Sequence, residues 1–344
     1  MKILITGGGG FIGSRLAAAL LAGRRLGGVA IDRIVLADQV VPRTELARDP
    51  RVETRVGALA EQCEALGREG FDGVFHLASA VSGECEADFE LGLRSNLDTT
   101  RALLDALRQA SGRGGEPAKL VFSSSVAVFG PDPSLPLPPL VGDDTLPAPK
   151  TSYGTHKLMC EHLIADYARK GYIDGRSARL MTVTVRPGRP NGAASSFFSG
   201  IVREPLAGVE AICPVSPDVS HPLTSAARTV EGLIAVYEAS VEQLGGRLAL
   251  NLPALNATVA EMLAALEQVA GPEVRERVRF VRDEQIAAIV ANWPQGATAK
   301  RAERLGLRAE QSFTDIIRRY IADCRQGADA TQSLAGLDPR RVSA

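Results

Sequence analysis

A chain of 344 residues with 45% hydrophobic content is long enough to bury a substantial core, as one large domain or two closely packed ones. Its 39 basic residues nearly balance 40 acidic ones, so no charge excess directs it to nucleic acid or to an anionic membrane. Five scattered cysteines without a CxxC pair, the lack of a signal-peptide pattern and the lack of a membrane-length apolar run read as a globular, cytoplasmic protein with reduced thiols.

Lys2–Thr6 (KILIT) is apolar, too short for a helix and followed by glycine, which predicts a buried strand. Phe11–Leu21 is rich in Ala and Leu and predicts a helix ending near Gly23. Strands are expected at Ile34–Ala37, Val52–Val56, Val74–Leu77, Leu120–Ser123 and Met181–Val185, with helical patterns at Ala87–Gln109 and Ser152–Lys170. This alternation predicts an α/β fold, a Rossmann-type doubly wound parallel sheet over residues 1–187. PDPSLPLPPL (Pro131–Leu140) reads as a surface excursion near an active-site mouth. Beyond residue 188, Pro205, Pro214, Pro217 and Pro222 break the chain, and helices are expected at Ala226–Leu244, Thr258–Val269, Asp283–Val290 and Phe313–Cys324. With one short strand at Leu248–Asn251, residues 188–327 predict a smaller, mainly helical substrate-binding cap, some segments of which return to the sheet. Residues 328–344 show no periodicity and are expected to be a loose tail.

Four consecutive glycines weaken any regular element, so TGGGGFIG requires a reason. Between a strand and a helix, Gly7, Gly10 and Gly13 have GxxGxxG spacing, and Gly8, Gly10 and Gly13 also fit GxGxxG. Such glycines permit a sharp turn, close approach to a pyrophosphate and tight helix–strand packing, with phosphates on the N–H groups of the helix start. Asp38 closes the second strand where an acidic residue would accept hydrogen bonds from a ribose, and its charge favours NAD over NADP. LVFSSSVAVFG places three serines at a strand end, where open α/β sheets keep their ligand crevice. In TSYGTHK, Tyr153 and Lys157 share a helix face at i, i+4. A lysine ammonium beside the phenol is expected to favour phenolate, and a serine would hold the substrate oxygen while hydride leaves for a nicotinamide.

TGGGGFIG, HLASA, FSSSVAVFG and YGTHK together resemble the extended short-chain dehydrogenase/reductase family, which holds nucleotide-sugar epimerases and dehydratases. The resemblance implies that Ser125, Tyr153 and Lys157 are catalytic. It implies that Phe11 and Ile12 join Gly7, Gly10 and Gly13 around the pyrophosphate, that Leu77 and Ala78 line the cofactor cleft, that Asn96 is the family's helix asparagine, and that Pro187 lies on a strand beside the nicotinamide. The family often has Gly-Asp contacting adenine where this chain has Gly57-Ala58. In the cap, SHPLTSAARTV and Asn251-Leu252-Pro253 depart from the nucleotide-sugar patterns and offer few of the paired cations that a diphosphate needs. Arg189 and Asn191, with Ser195 and Ser196 at an expected helix start, form a small anion site suited to a carboxylate. HLASAVSGECEADFELG, RPGRPN and SSFFSGIVREPL bring the chain closest to a branch of the family that oxidises a four-carbon sugar acid with NAD, and related proteins pair such helices into homodimers.

The remaining candidates have plainer readings. His76 reads as a packed core histidine, His156 as turned from the reaction, and Glu161 with His162 as lacking zinc spacing; no metal is expected. His221 is a candidate to touch substrate, and Arg186 is expected to pair with an acidic neighbour. The expected activity is NAD-dependent oxidation of a small sugar acid; the alternatives are a nucleotide-sugar epimerase or dehydratase that keeps its NAD, and a cofactor-sensing protein without turnover.

Overall fold

Alternate residues of the first strand point to opposite sides of the sheet, and both sides are apolar: Ile3 and Ile5 belong to one core cluster and Leu4 to another, all fully buried. A strand of that kind needs helices on both faces. The computed structural model, which describes residues 1–42, 44–112, 114–188, 194–327 and 330–338, has it in the interior of a seven-stranded sheet. The strands are β1 (Lys2–Thr6), β2 (Arg33–Asp38), β3 (Val52–Val56), β4 (Gly73–His76), β5 (Lys119–Ser125), β6 (Asp174–Leu180) and β7 (Leu250–Asn251). Their order is β7-β6-β5-β4-β1-β2-β3, with every neighbouring pair parallel. The order reverses between β1 and β4, so a crevice opens at their carboxyl ends.

The longer helices are α1 (Phe11–Gly23), α2 (Leu59–Glu69), α3 (Thr99–Gly112), α4 (Ser152–Arg169), α5 (Ser196–Leu206), α6 (Ala226–Glu238), α7 (Val259–Ala270) and α8 (Phe313–Gln326). Leu16 and Leu20 of α1 and Leu233 of α6 cover one face of the sheet. Leu66 of α2, Leu103 and Leu107 of α3 and Ile164 of α4 cover the other. Each such buried side chain contributes about 2 kcal/mol relative to exposure. A third core joins α5, α7 and α8 through Phe198, Ile201, Met262, Leu266 and Ile317. Beside it, Thr182–Val183, Ser220–Thr224 and Leu255–Thr258 form a separate three-stranded sheet.

Four expectations are corrected. The sixth strand of the main sheet is Asp174–Leu180 (DGRSARL), not Met181–Val185, of which only Thr182–Val183 is a strand, in the small sheet. Its two arginines disguise it; both are buried, Arg176 on Asp174 at 2.6 Å and Arg179 on Glu161 at 2.8 Å. The helix expected over Ala87–Gln109 is divided into Ser82–Ala87, Phe89–Gly92, a π-helical turn at Leu93–Asp98, and α3. The one expected over Ala226–Leu244 stops at Glu238, where Ala239 turns extended and Ser240 caps the short helix Val241–Leu244. Finally, residues 330–338 are docked: Leu337 is buried in the cap core, and Gly336 N–H donates to Leu206 O (2.9 Å).

Two histidines are core residues with both ring nitrogens bonded. His76 lies between Thr6 Oγ1 (2.7 Å) and Thr100 Oγ1 (2.9 Å). His221 lies between Thr182 Oγ1 (2.7 Å) and Pro294 O (3.1 Å) and stacks on Phe198, so it is occupied by packing. Burial pushes His76 down to about 3 and His221 down to about 4. The unfolded chain therefore binds protons that the folded chain does not, and stability present at neutral pH is lost on acidification, by up to about 1 kcal/mol per pH unit for each histidine below roughly pH 6.5. Calorimetric Tm is expected to fall steadily from about pH 7 to pH 5, and His221→Gln to flatten part of that slope.

Candidate active site

The glycine loop sits at the mouth of the crevice. Gly7 has φ +72°, and a Cβ there would stand 2.8 Å from Ala78 N; a Cβ on Gly13 would stand 2.1 Å from Gly7 O. No side chain other than hydrogen fits at either position. Gly10 is the N-cap of α1 without a side-chain cap, and the first turn carries no acidic residue, which leaves its N–H groups for an anion. Leu77 and Ala78 follow β4 across the crevice, their N–H groups held by Thr6 Oγ1 at 3.2 and 3.3 Å. In the first turn, Ile12 packs onto the core and Phe11 lies under the Arg15 guanidinium at 4.9 Å. Asp38, at the end of β2, accepts from Gly9 N–H at 2.9 Å and Val40 N–H at 3.1 Å, which fixes its carboxylate on the rim of the loop. Gly57 N–H donates to Asp38 O at 2.9 Å, while Ala58 brings no polar side chain. A loop with uncovered N–H groups at a helix start, no side chains at Gly7 and Gly13 and a fixed carboxylate on its rim fits a dinucleotide.

The second half of the site is the contact of α4 with β5. Thr151 caps α4 by accepting from Gly154 N–H (3.1 Å), and Ser152 N–H donates to Glu86 Oε1 (2.7 Å). A Cβ on Gly154 would stand 2.1 Å from Ala127 O, so the helix start lies directly on the turn after Ser125. Tyr153, Lys157 and Glu161, each one turn apart, then face the three serines of β5. The Ser125 side chain is a hydrogen-bonding neighbour of the Tyr153 phenol, and its Oγ also accepts from Ala127 N–H (3.1 Å). Lys157 Nζ donates to Ser123 O (2.8 Å) over the Phe122 ring (4.7 Å). Glu161 accepts from Ser124 Oγ (2.5 Å) and from Arg179 Nε and Nη2 (2.9 and 2.8 Å).

The electrostatics differ from the sequence expectation. Burial pushes the Lys157 ammonium down to about 8, against the field of Cys160, Cys85 and Glu161. Burial also raises Tyr153, opposed by the Ser125 hydroxyl and then by the charge of Arg186. Lys157 was expected to be the cation acting on the phenol. Its ammonium donates to the Ser123 carbonyl and lies 5.5 Å from the Tyr153 ring centroid, and the charge of Arg186 also opposes the rise of the phenol. The expected ion pair of Arg186 is corrected: among the described residues its guanidinium has no carboxylate partner. Its Nε donates to Val183 O (3.0 Å) and its Nη2 to Ser195 Oγ (3.3 Å). The sequence signal that could have found it is its place, four residues after the small-sheet strand begins and just before the expected anion loop.

The remaining candidates divide. Ser195 is half-buried at the start of α5, beside Ser196. Arg189 and Asn191 lie outside the described residues. Pro187 is on a loop four residues past the end of its short strand, not on the strand. Asn96 is buried in the π-helical turn, where Oδ1 accepts from Ala80 N–H (2.7 Å) and Nδ2 donates to Ala80 O (3.2 Å). Its side chain clamps the segment after β4, which places it behind the cofactor cleft. No group of three or more His, Cys, Asp or Glu among the described residues is placed to hold a metal, and no helix among them is long and apolar enough to cross a membrane.

A doubly wound sheet with a glycine cradle at its switch point and a Ser/Tyr/Lys set on the adjacent strand and helix defines a nicotinamide-dependent enzyme of the short-chain dehydrogenase type. The profile of the NAD dependent epimerase/dehydratase family matches residues 3–242, and the chain belongs to that family. It is 45% identical over 331 residues to the D-erythronate dehydrogenase of Cupriavidus necator, covering 94% of this chain and 98% of that one. The D-erythronate dehydrogenase of Haemophilus influenzae is 40% identical, covering 93% and 99%. Among solved structures, one described as a nucleoside-diphosphate-sugar epimerase from Agrobacterium tumefaciens superposes with a TM-score of 0.89 at 42% identity, covering 94% of each chain.

Two outcomes follow from this geometry. Lys157→Met removes a charge that the fold disfavours, so calorimetry at neutral pH is expected to show an unchanged or higher Tm; that gain shrinks above about pH 8, where the wild-type lysine discharges while the unfolded one stays charged. Asp38→Ala is expected to narrow the gap between NAD and NADP affinities in a fluorescence titration, and an unchanged ratio removes Asp38 from the ribose site.

Proposed function

We propose that the chain catalyses NAD-dependent oxidation of D-erythronate to its 2-oxo acid. The observation that carries this is the pairing of the Tyr153–Ser125 contact at the dinucleotide crevice with near-full-length similarity to two D-erythronate dehydrogenases. Gly7, Gly10, Phe11, Ile12 and Gly13 would hold the pyrophosphate and Asp38 the ribose. Leu77, Ala78, Pro187, Tyr153 and Lys157 would border the nicotinamide half, with Asn96 supporting that wall. NAD, when bound there, supplies the hydride acceptor. Tyr153 takes the proton of the reacting hydroxyl at Oη, and Ser125 orients that hydroxyl through Oγ. Lys157, anchored on Ser123 O, keeps a positive charge beside the phenol below about pH 8 and offers its remaining N–H groups to the ribose. Arg189, Asn191, Ser195 and Ser196 would gather the carboxylate. In this reading residues 1–187 bind the cofactor, residues 188–327 form the substrate cap, and the enzyme is a cytoplasmic homodimer.

A second reading is a nucleotide-sugar epimerase with retained NAD, favoured by the description of the Agrobacterium relative. One assay separates the two. Purified enzyme with NAD and a panel of four- to six-carbon aldonic acids and UDP-sugars is expected to produce NADH with D-erythronate and none with UDP-sugars. Tyr153→Phe is expected to lose at least about 100-fold in kcat while still binding NAD, since general acid–base catalysis contributes that much. Epimerised UDP-sugar without NADH release establishes the second reading instead.

A further inference from the structure

We infer that Arg186 is the counter-ion of the substrate carboxylate and selects acids whose hydroxyl is on the neighbouring carbon. The inference rests on the dehydrogenase reading and names a residue that the sequence discounted.

Charge pairing singles the residue out first. The well-buried arginines Arg176, Arg179 and Arg203 each hold a carboxylate, at 2.6, 2.8 and 2.5 Å. Arg277 donates to the carbonyls of Pro205 and Gly336, and Arg301 to those of Leu244 and Ala249. Arg186 has neither a carboxylate within reach among the described residues nor a set of carbonyls. It has one carbonyl, Val183 O, and one hydroxyl, Ser195 Oγ. Arg186 is half-buried, a partly shielded guanidinium without its anion is costly, and a fold that pairs its buried arginines leaves this one for an incoming group.

Its backbone is held from both sides. Arg186 N–H donates to Ser199 Oγ (3.0 Å), and Arg186 O accepts from Arg203 Nη1 (2.7 Å). With Nε on Val183 O, the guanidinium plane has little freedom, as a bidentate receptor requires. It is also in the right place. Leu180 pairs with Ser125 across the sheet, so the segment that leaves β6 there carries Arg186 out from beside the Ser125–Tyr153 contact, and its Nη2 donates to the Ser195 hydroxyl at the start of α5.

The chemistry completes the argument. In a 2-hydroxy acid the carboxylate is one carbon–carbon bond from the carbon that carries the reacting hydroxyl. Once that hydroxyl lies on Tyr153 and Ser125, the carboxylate falls beside the phenol; the Lys157 ammonium is committed to Ser123 O, while Arg186 has no carboxylate of its own among the described residues. A ring hydroxyl of a nucleotide sugar brings no anion to that spot. The carboxylate stays charged from hydroxy acid to oxo acid, so Arg186 binds substrate and transition state alike and acts mainly on KM.

The test compares D-erythronate with its methyl ester in wild type, Arg186→Gln and Arg186→Lys, with NAD affinity measured by fluorescence titration. Wild type is expected to prefer the acid in kcat/KM, and Arg186→Gln to lose about 10- to 100-fold of that preference, the scale of one charge-assisted hydrogen-bond pair. The loss is expected in KM, with NAD affinity unchanged. Arg186→Lys is expected to keep the preference but raise KM for the acid, because a point charge replaces a fork; this variant retains the charge should the Gln variant fold poorly. An acid preference untouched in Arg186→Gln, or a KM untouched in Arg186→Lys, overturns the inference. A wild-type enzyme that oxidises no 2-hydroxy acid overturns the proposed function instead, so the two failures are distinguishable.

Discussion

Helix α4 is fastened to strand β5 at successive turns, and the geometry of the candidate site follows from that contact. Gly154 lets the helix start lie on Ala127 O, Lys157 reaches Ser123 O, and Glu161 closes on Ser124 and Arg179. Lys157 and Glu161, one turn apart on the helix, take Ser123 O and Ser124 Oγ, and Tyr153, one turn before Lys157, falls beside Ser125. Tyr153 is thereby held against Ser125 by a fastening that lies almost entirely behind it. The buried Glu161–Arg179 pair is weak evidence for net stability, since two desolvated charges roughly offset their attraction. Its effect is to specify one relative position of helix and strand, because any slide would strand a charge.

The same economy governs the dinucleotide cradle. Glycines at Gly7 and Gly13 are required by backbone atoms closer than any Cβ allows, and Asp38 is held by the N–H of Gly9 within the loop it borders. Thr6 joins the two strands that flank the crevice: its hydroxyl meets His76 and the N–H groups of Leu77 and Ala78. A neutral, fully bonded His76 is therefore part of how the crevice is held open, although it never approaches the chemistry.

Charge is distributed in a way that separates roles. Lys157 is buried, turned inward and pushed down to about 8, which suits a group that maintains the site near neutrality and turns off in mild alkali. Arg186 stays charged at any accessible pH and donates to Val183 O and to Ser195 Oγ at the start of α5. One cation thus belongs to the scaffold of the catalytic helix and the other to the segment leading into the cap.

How much of this was legible in the chain depends on how far apart the interacting residues lie. β1, the glycine turn, α1 and the Tyr153–Lys157 spacing are local patterns, since steric limits at glycine and helical period act between near neighbours. The doubly wound order follows from the alternation of strands and helices. By contrast, Asp174–Leu180 was missed because Arg176 and Arg179 look like surface residues until Tyr237 O and Glu161 are brought to them by the fold. The docking of Leu337 and the pairing of His221 with Thr182 also depend on residues distant in sequence. By itself, the sequence determined the strand–glycine–helix unit at the start of the chain and the helix that carries Tyr153 and Lys157 one turn apart. Only the tertiary structure decided that the Lys157 ammonium is committed to Ser123 O, because an ammonium's direction is set by the acceptor that packing places within its reach.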